Sequence, residues 1–481
     1  MNSTHSGPLS SPQDHTFRII LLSSVAAIGG FLFGFDSGVI NGTVDALRGA
    51  FDSDAVGTGF NVASMLLGCA AGAFFAGTLA DQYGRRTIMF AAALFFMVSA
   101  WGSGIAATSA QFVLFRIIGG FAVGAASILT PAYISEIAPS RMRGRLATLQ
   151  QLAIVIGLFV AFLSNYLIAN ASGGASEPFW GGFQAWQWMF WMEIFPAALF
   201  FVLLFLIPES PRYLVSAGRI DEATAVLKSL SHADDADKKV ADILTTVTAD
   251  RKPRLSDIMN RVKGGVHPIV WVGVALAILQ QFTGINVVFY YGATLWQAAG
   301  FTEGDALLVN VISGAVNISF TFVAIALVDK IGRKPLLLVG SLGQAVMLGI
   351  LALFFGTATL GESGNLILEG NNGIYALLAA NAYIAFFAFS WGPVMWVMLG
   401  EMFPNQFRGA ALAVCGIAQW GANFAITMSF PVLLASIGLG FSYGIYAFFG
   451  VIAYFFVKRF VDETRGKTLE ELSRDIMGKV E

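Results

Sequence analysis

Asp36, Arg116 and Glu193 are the only acidic or basic residues set well inside the long apolar runs of this 481-residue chain. A charge in an apolar phase is costly, and side chains that keep one there mark an ion pathway or an internal pair. One arginine cannot neutralise two carboxylates. A proton taken up by one of the carboxyls would complete the balance, so the trio has the composition of a proton carrier. The plainer alternative is a static Arg116–Glu193 pair, with Asp36 wetted from outside.

A second set of charges repeats. Asp81-x-x-Gly84-Arg85-Arg86 returns as Asp329-x-x-Gly332-Arg333-Lys334, offset by 248 residues. Glu136-x-x-Pro139 leading to Arg143-Gly144 returns as Glu401-x-x-Pro404 leading to Arg408-Gly409, offset by 265. The common order argues for a duplicated architecture. Arginine forks on carboxylates are geometrically specific and break as units. Anchoring by positive charge alone is the simpler reading of the same loops.

Little else suggests chemistry. His5, His15, His232 and His267 are scattered outside the apolar runs, and Cys69 and Cys415 fall inside them as small buried thiols. No metal, cofactor or nucleophile constellation is expected, and no enzyme. Gly466-Lys467-Thr468 has Val461 where a phosphate loop needs its first glycine, which speaks against an ATP-driven pump. A net charge of −2 gives no basis for a nucleic-acid partner. Asn41 and Asn170 open glycosylation triplets that carry no weight here.

The elements that must hold these residues follow from composition. The chain is 56% hydrophobic and 12% charged, about half the charge of a soluble domain, so lipid is its solvent. A helix needs about 20 apolar residues to cross a bilayer. Twelve such stretches can be read, at 17–42, 57–79, 87–107, 111–134, 146–169, 187–207, 267–298, 306–328, 335–357, 374–399, 409–434 and 437–458. The first begins at Phe17 after a polar leader and is too long for a signal core, so it is a retained span. Asp36, Arg116 and Glu193 then lie at a common depth, roughly 10 Å below one surface at 1.5 Å per residue, and can meet.

Of the 28 lysines and arginines, Arg116 lies in a span and Arg48 in the first loop; the rest fall at the termini or in even-numbered loops. The positive-inside rule puts both termini and the 208–266 connection in the cytoplasm. The expected fold is all-α: two six-helix bundles, 17–207 and 267–458, a cytoplasmic insert at 208–266 with helices near 220–231 and 235–248, and a tail at 459–481. Such parallel repeats place a substrate at the bundle interface near mid-membrane. Gly68-x-x-x-Gly72 and Gly120-x-x-x-Gly124 are of the kind that lets helices approach closely.

Over essentially its whole length the sequence resembles the sugar porter family of the major facilitator superfamily. The motifs are Asp81–Arg86, Arg141–Gly144, Pro208-Glu209-Ser210-Pro211-Arg212, Gln280-Gln281-x-x-Gly284-Ile285-Asn286, Gly332-Arg333-Lys334 and Glu463-Thr464-x-Gly466-Lys467-Thr468. Asp462 stands where the family has proline, which implies a looser turn. The resemblance implies that Asp81, Arg85, Arg86, Glu136, Arg143, Glu209, Arg212, Asp329, Arg333, Lys334, Glu401, Arg408 and Glu463 form a cytoplasmic gate. Proton-coupled members carry an acid at the position of Asp36, whereas facilitative glucose carriers have asparagine. This implies that Asp36 is the protonation site, Arg116 its switchable partner and Glu193 a modulator.

Sugar recognition needs amides, which donate and accept, and aromatic faces for C–H patches. The resemblance implies sugar ligands at Gln151, Gln280, Gln281, Asn286, Asn317 and Trp396, with Gln419, Trp420, Asn423 and Phe387 as further lining. An isolated amide would more often bond a neighbouring helix. Gly284 marks a helix break. Tyr290 and Tyr291 match the family's external gate, against anchoring in the aromatic belt. Xylose symporters carry a glutamine where this chain has Leu158, and glucose carriers an apolar residue, so D-glucose is the expected substrate. The expectation is a monomeric glucose–proton symporter; a facilitative uniporter and a sugar sensor are the alternatives, the sensor weakened by a short tail.

Overall fold

The computed structural model describes residues 12–230, 233–249, 258–259, 264–360, 366–404 and 406–465. Spans 1 to 5 are Pro12–Val39, Ala55–Tyr83, Arg85–Ile105, Ser109–Ile137 and Ser140–Ser172. Span 6 comprises Ala185–Trp191 and Ile194–Leu203, and span 7 comprises Pro268–Phe282 and Ile285–Ala298. Spans 8 and 9 are Glu303–Ile331 and Arg333–Gly356; span 10 is split into Asn372–Ala388 and Trp391–Met402. Helix Arg408–Phe460 has 53 residues, about 80 Å at 1.5 Å each, far beyond the ~30 Å apolar thickness of a bilayer. Gly438, at φ 79°, breaks it into spans 11 and 12. Twelve spans result among the described residues.

Three breaks have local causes. Gly284 takes φ +82° and divides span 7 where the sequence places the hinge. Spans 6 and 10 were expected to be continuous and are not. Pro196 offers no N–H to the Met192 carbonyl and Pro393 none to that of Phe389, so each helix yields just before its proline. The break in span 6 contains Glu193.

Glycine sets the closest crossings. A Cβ on Gly120 would stand 1.9 Å from the Met65 carbonyl oxygen, and one on Gly68 2.1 Å from that of Ile117. Gly124 and Gly72 make the same contacts one turn along, with Cys69 and Phe121. The two Gly-x-x-x-Gly pairs thus face each other and join spans 2 and 4. Between spans 1 and 5, Gly34 meets Ile154 and Gly157 meets Phe31 in the same way.

The 208–266 connection carries helices Pro211–Ser216, Ile220–Leu230 and Ala233–Ala249, packed on Leu214, Val215, Ala223, Leu227, Ala236 and Val240. Two small features depart from expectation: a helix Val44–Ala50 in the first loop, and a hairpin pairing Thr359–Leu360 with Leu366–Ile367. Residues 466–481, with most of the C-terminal motif, lie outside the described residues.

The halves meet at the end remote from the acidic–Gly–Arg loops. There Asn41 Nδ2 donates to the Phe289 carbonyl at 2.8 Å. Thr294 and Gln297 each donate to Asp45 at 3.0 Å, and Ala175 N donates to Glu303 at 2.8 Å. This end is closed.

Candidate functional site

The three intramembrane charges come together. Arg116 Nη1 donates to Asp36 Oδ1 at 2.6 Å, and Nη2 reaches the Asp36 carbonyl at 3.3 Å. Both residues are 1% exposed. The guanidinium also lies 5.7 Å from the centre of the Phe190 ring. Glu193 is fully buried beside the pair, within electrostatic reach of both, and neither of its oxygens has a hydrogen-bond donor. Arg116 therefore chooses Asp36 here, and Asp36 is sealed from water. The static Arg116–Glu193 pair with a wetted Asp36 is not the arrangement found. One pair remains with one extra acid.

Along spans 7 and 11 four amides form a chain. Gln280 donates to the Trp391 carbonyl at 2.8 Å, and its Oε1 accepts from Gln281 and Gln419, both at 3.1 Å. Gln281 in turn accepts from Asn286 at 2.5 Å, across the Gly284 break. The left-handed glycine turns the second half-helix so that Asn286 points back at the first. Asn423 approaches the Tyr290 hydroxyl at 3.4 Å and accepts from Thr427. Trp420 sits 6.1 Å from Phe33 of span 1, ring centre to ring centre, so it touches the other half. Gln151, half-buried on span 5, and Asn317, buried on span 8, have amides with no protein hydrogen bond among the described residues. Trp396 is 40% exposed, and Phe387 packs on Gly392; neither is hydrogen-bonded into the amide chain. Leu158 lies against Gly38 of span 1.

Tyr290 and Tyr291 are 5% and 1% exposed. A belt anchor would face lipid; these face the interior, where Tyr291 donates to the Thr427 carbonyl at 2.9 Å.

The charged loops build two copies of one network. Arg85 bonds Asp81 at 2.8 Å and Glu136 at 3.2 Å, and Ser210 donates to Glu136. Glu209 accepts from the backbone N–H groups of Arg85 and Arg86. In the second half Arg333 bonds Asp329 at 3.0 Å and Glu401 at 2.8 Å, and Thr464 donates to Glu401. Glu463 accepts from Arg333 and Lys334. Arg86 also holds the Leu204 carbonyl and Arg408 that of Phe403; Arg212 is engaged as well. The side chain of Arg143 lies outside the described residues. The bonds around Arg85 and Arg333 join each half to itself and to the segment that follows its last span.

Sequence reasoning missed Asn41, Asp45 and Asn310 at the closed end and Met65 beside Arg116. Asn41 stood out only as a glycosylation triplet. It is 1% exposed and fully engaged, so no glycan attaches in this state. Two six-helix halves, closed at one end around buried charges and a chain of amides, define a membrane transporter that works by alternating access.

A profile of the family described as "Sugar (and other) transporter" matches residues 22–476. The chain belongs to this family. It is 52% identical to a glucose transport protein of Synechocystis over 97% of this chain and all of that one. It is 41% identical to the D-xylose-proton symporter of Escherichia coli K12 over 96% of each. The inward-open structure of the E. coli xylose transporter XylE superposes with a TM-score of 0.80 at 38% identity, covering 95% of this chain and 99% of that one. The same transporter bound to 6-bromo-6-deoxy-D-glucose superposes at 0.76, with 39% identity and the same coverage. The likeness is greater to the inward-open form.

Proposed function

We propose that this cell-membrane protein is a proton-coupled symporter that imports a hexose, D-glucose, by alternating access. The observation that carries the reading is the buried Arg116–Asp36 pair with Glu193 unpaired beside it. Two buried carboxyls share one arginine, so one charge is left for a proton to balance, and Asp36 takes that proton when Arg116 moves across to Glu193. The 52% identity to a glucose transport protein supports the sugar, and kinship to a proton symporter supports the coupling.

In this reading Asp36 binds the proton, Arg116 exchanges partners and Glu193 modulates the exchange. Gln151, Gln280, Gln281, Asn286, Asn317 and Trp396 hold the sugar, lined by Phe387, Gln419, Trp420 and Asn423. Tyr290 and Tyr291 belong to the outer gate. The bundles are 17–207 and 267–458, with 208–266 and 459–481 in the cytoplasm, and the transport unit is one chain. The loop networks around Arg85 and Arg333 then lie at the inner face. With the opposite end closed, the molecule is inward-facing.

The test is counterflow and proton-driven uptake of labelled glucose in proteoliposomes, with wild type beside Asp36→Asn. Symport requires that the variant keep exchange but lose uphill accumulation. If both proteins equilibrate glucose and neither responds to a pH gradient, the protein is a facilitator. A strong preference for a pentose would overturn the substrate.

A further inference from the structure

Span 2 brings a sulfur to the arginine of the charged trio. Gly120 lies one turn beyond Arg116 and crosses span 2 at Met65, so closely that its missing Cβ is what admits the contact. Met65 is 2% exposed, and its Sδ lies 2.9 Å from Arg116 Nη2.

A guanidinium facing a carboxylate ordinarily forks onto it with two parallel N–H donors. Here only Nη1 reaches the Asp36 carboxylate, while Nη2 is turned onto the sulfur and the Asp36 carbonyl. Asp36 Oδ2 is left buried with no donor from Arg116, and the Glu193 carboxyl stands close against the Asp36 carboxyl. A thioether is a weak, uncharged acceptor. It can hold Nη2 without drawing the positive charge away from the acid.

We propose that Met65 is a positioning residue for proton coupling. Its sulfur keeps Nη2 of Arg116 off the Asp36 carboxylate, so the ion pair stays single-pronged and Oδ2 stays open to a proton. The proposal rests on the symport reading above. The other titratable groups facing the pair are Glu193 of span 6, Cys69 of span 2 and Tyr290 of span 7. On span 3 the Ser99 hydroxyl lies close to Gly119 on the Asp36 side. None of them bonds Nη2.

The test is the pH profile of proton-driven glucose uptake in proteoliposomes for wild type, Met65→Leu and Met65→Gln, with counterflow as the check on folded protein. Leucine removes the acceptor, lets Nη2 fork onto Oδ2 and makes the carboxylate harder to protonate. Half-maximal uptake should move to lower pH by about half a unit, the scale of one exchanged hydrogen bond. Glutamine holds Nη2 more firmly and should move it by a similar amount to higher pH. Shifts of opposite sign are not what a packing defect produces. Variant curves that trace the wild type, that move in one direction, or that come with loss of counterflow in both variants overturn the proposal. A wild type indifferent to pH overturns the symport reading itself, and this inference with it.

Discussion

Asn310 of span 8 donates from Nδ2 to the side-chain oxygen of Asn41, 2.8 Å away, and so ties the end of span 1 to the second half. The same oxygen accepts from the Ala293 N–H at 3.1 Å, and the Asn41 amide donates to the Phe289 carbonyl. One side chain therefore satisfies groups on both spans 7 and 8. All three bonds must break for the closed end to open.

Asn41→Ala should favour the opened form. It leaves an Asn310 amide N–H unpaired only while the end is closed, since in the open form water reaches it; the Ala293 N–H and the Phe289 carbonyl, four residues apart in one helix, can keep each other. A buried unsatisfied group costs about 1–3 kcal/mol, so a tenfold shift toward the open state is the rough expectation. Spin labels at Gly49→Cys and Gly304→Cys, where a side chain meets open space, would report it as a second, longer distance. An unchanged distance distribution would show that Asn41 does not hold the end shut.

The twelve spans, the duplication and the Gly284 hinge were legible because each rests on local signals: apolar length, a repeated motif, a residue that tolerates positive φ. The facing of Gly68 and Gly72 with Gly120 and Gly124 was readable as a capacity for close approach, though not as this pairing. The meeting of Asp36 with Arg116 followed from equal depth. Depth could not show that Arg116 would leave Glu193 unpaired, because that depends on helix rotation. Pro196 and Pro393 were visible, but hydrophobicity ran through them and the breaks in spans 6 and 10 were missed. Met65 had no signal at all, and Asn41 only a glycosylation triplet unrelated to its role. Each is one of many similar residues until the crossing of two helices gives it a partner.

Glu209 and Glu463 should contribute equally and independently to stability. Each follows the last span of its half, and each caps the start of a helix in that same half: Glu209 through the N–H groups of Arg85 and Arg86, Glu463 through those of Arg333 and Lys334. Glutamine removes the charge that favours a helix start and one of the two acceptor oxygens. Each Glu→Gln change should cost about 1 kcal/mol. They share no partner, so the double variant should be additive within about 0.5 kcal/mol in chemical unfolding of the purified protein. Strong coupling would mean that the two networks touch, and would count against networks closed within each half.

Gln280 should matter more to sugar affinity than Gln419. Gln280 is 3% exposed and is the junction of the amide chain: it donates to Trp391 and accepts from both Gln281 and Gln419. Gln280→Ala leaves the amide donors of Gln281 and Gln419 without their acceptor and removes the group that aims Gln281 toward Asn286. A lost buried hydrogen bond of this kind is worth roughly 1–3 kcal/mol, or about tenfold in the half-saturating glucose concentration for counterflow. Gln419 ends the chain with its own Oε1 unpartnered, so its truncation frees only one acceptor on Gln280. The expected effect there is a few-fold. Equal losses at the two positions would show that both side chains touch the sugar directly, and a normal affinity in Gln280→Ala would remove the amide chain from the binding site.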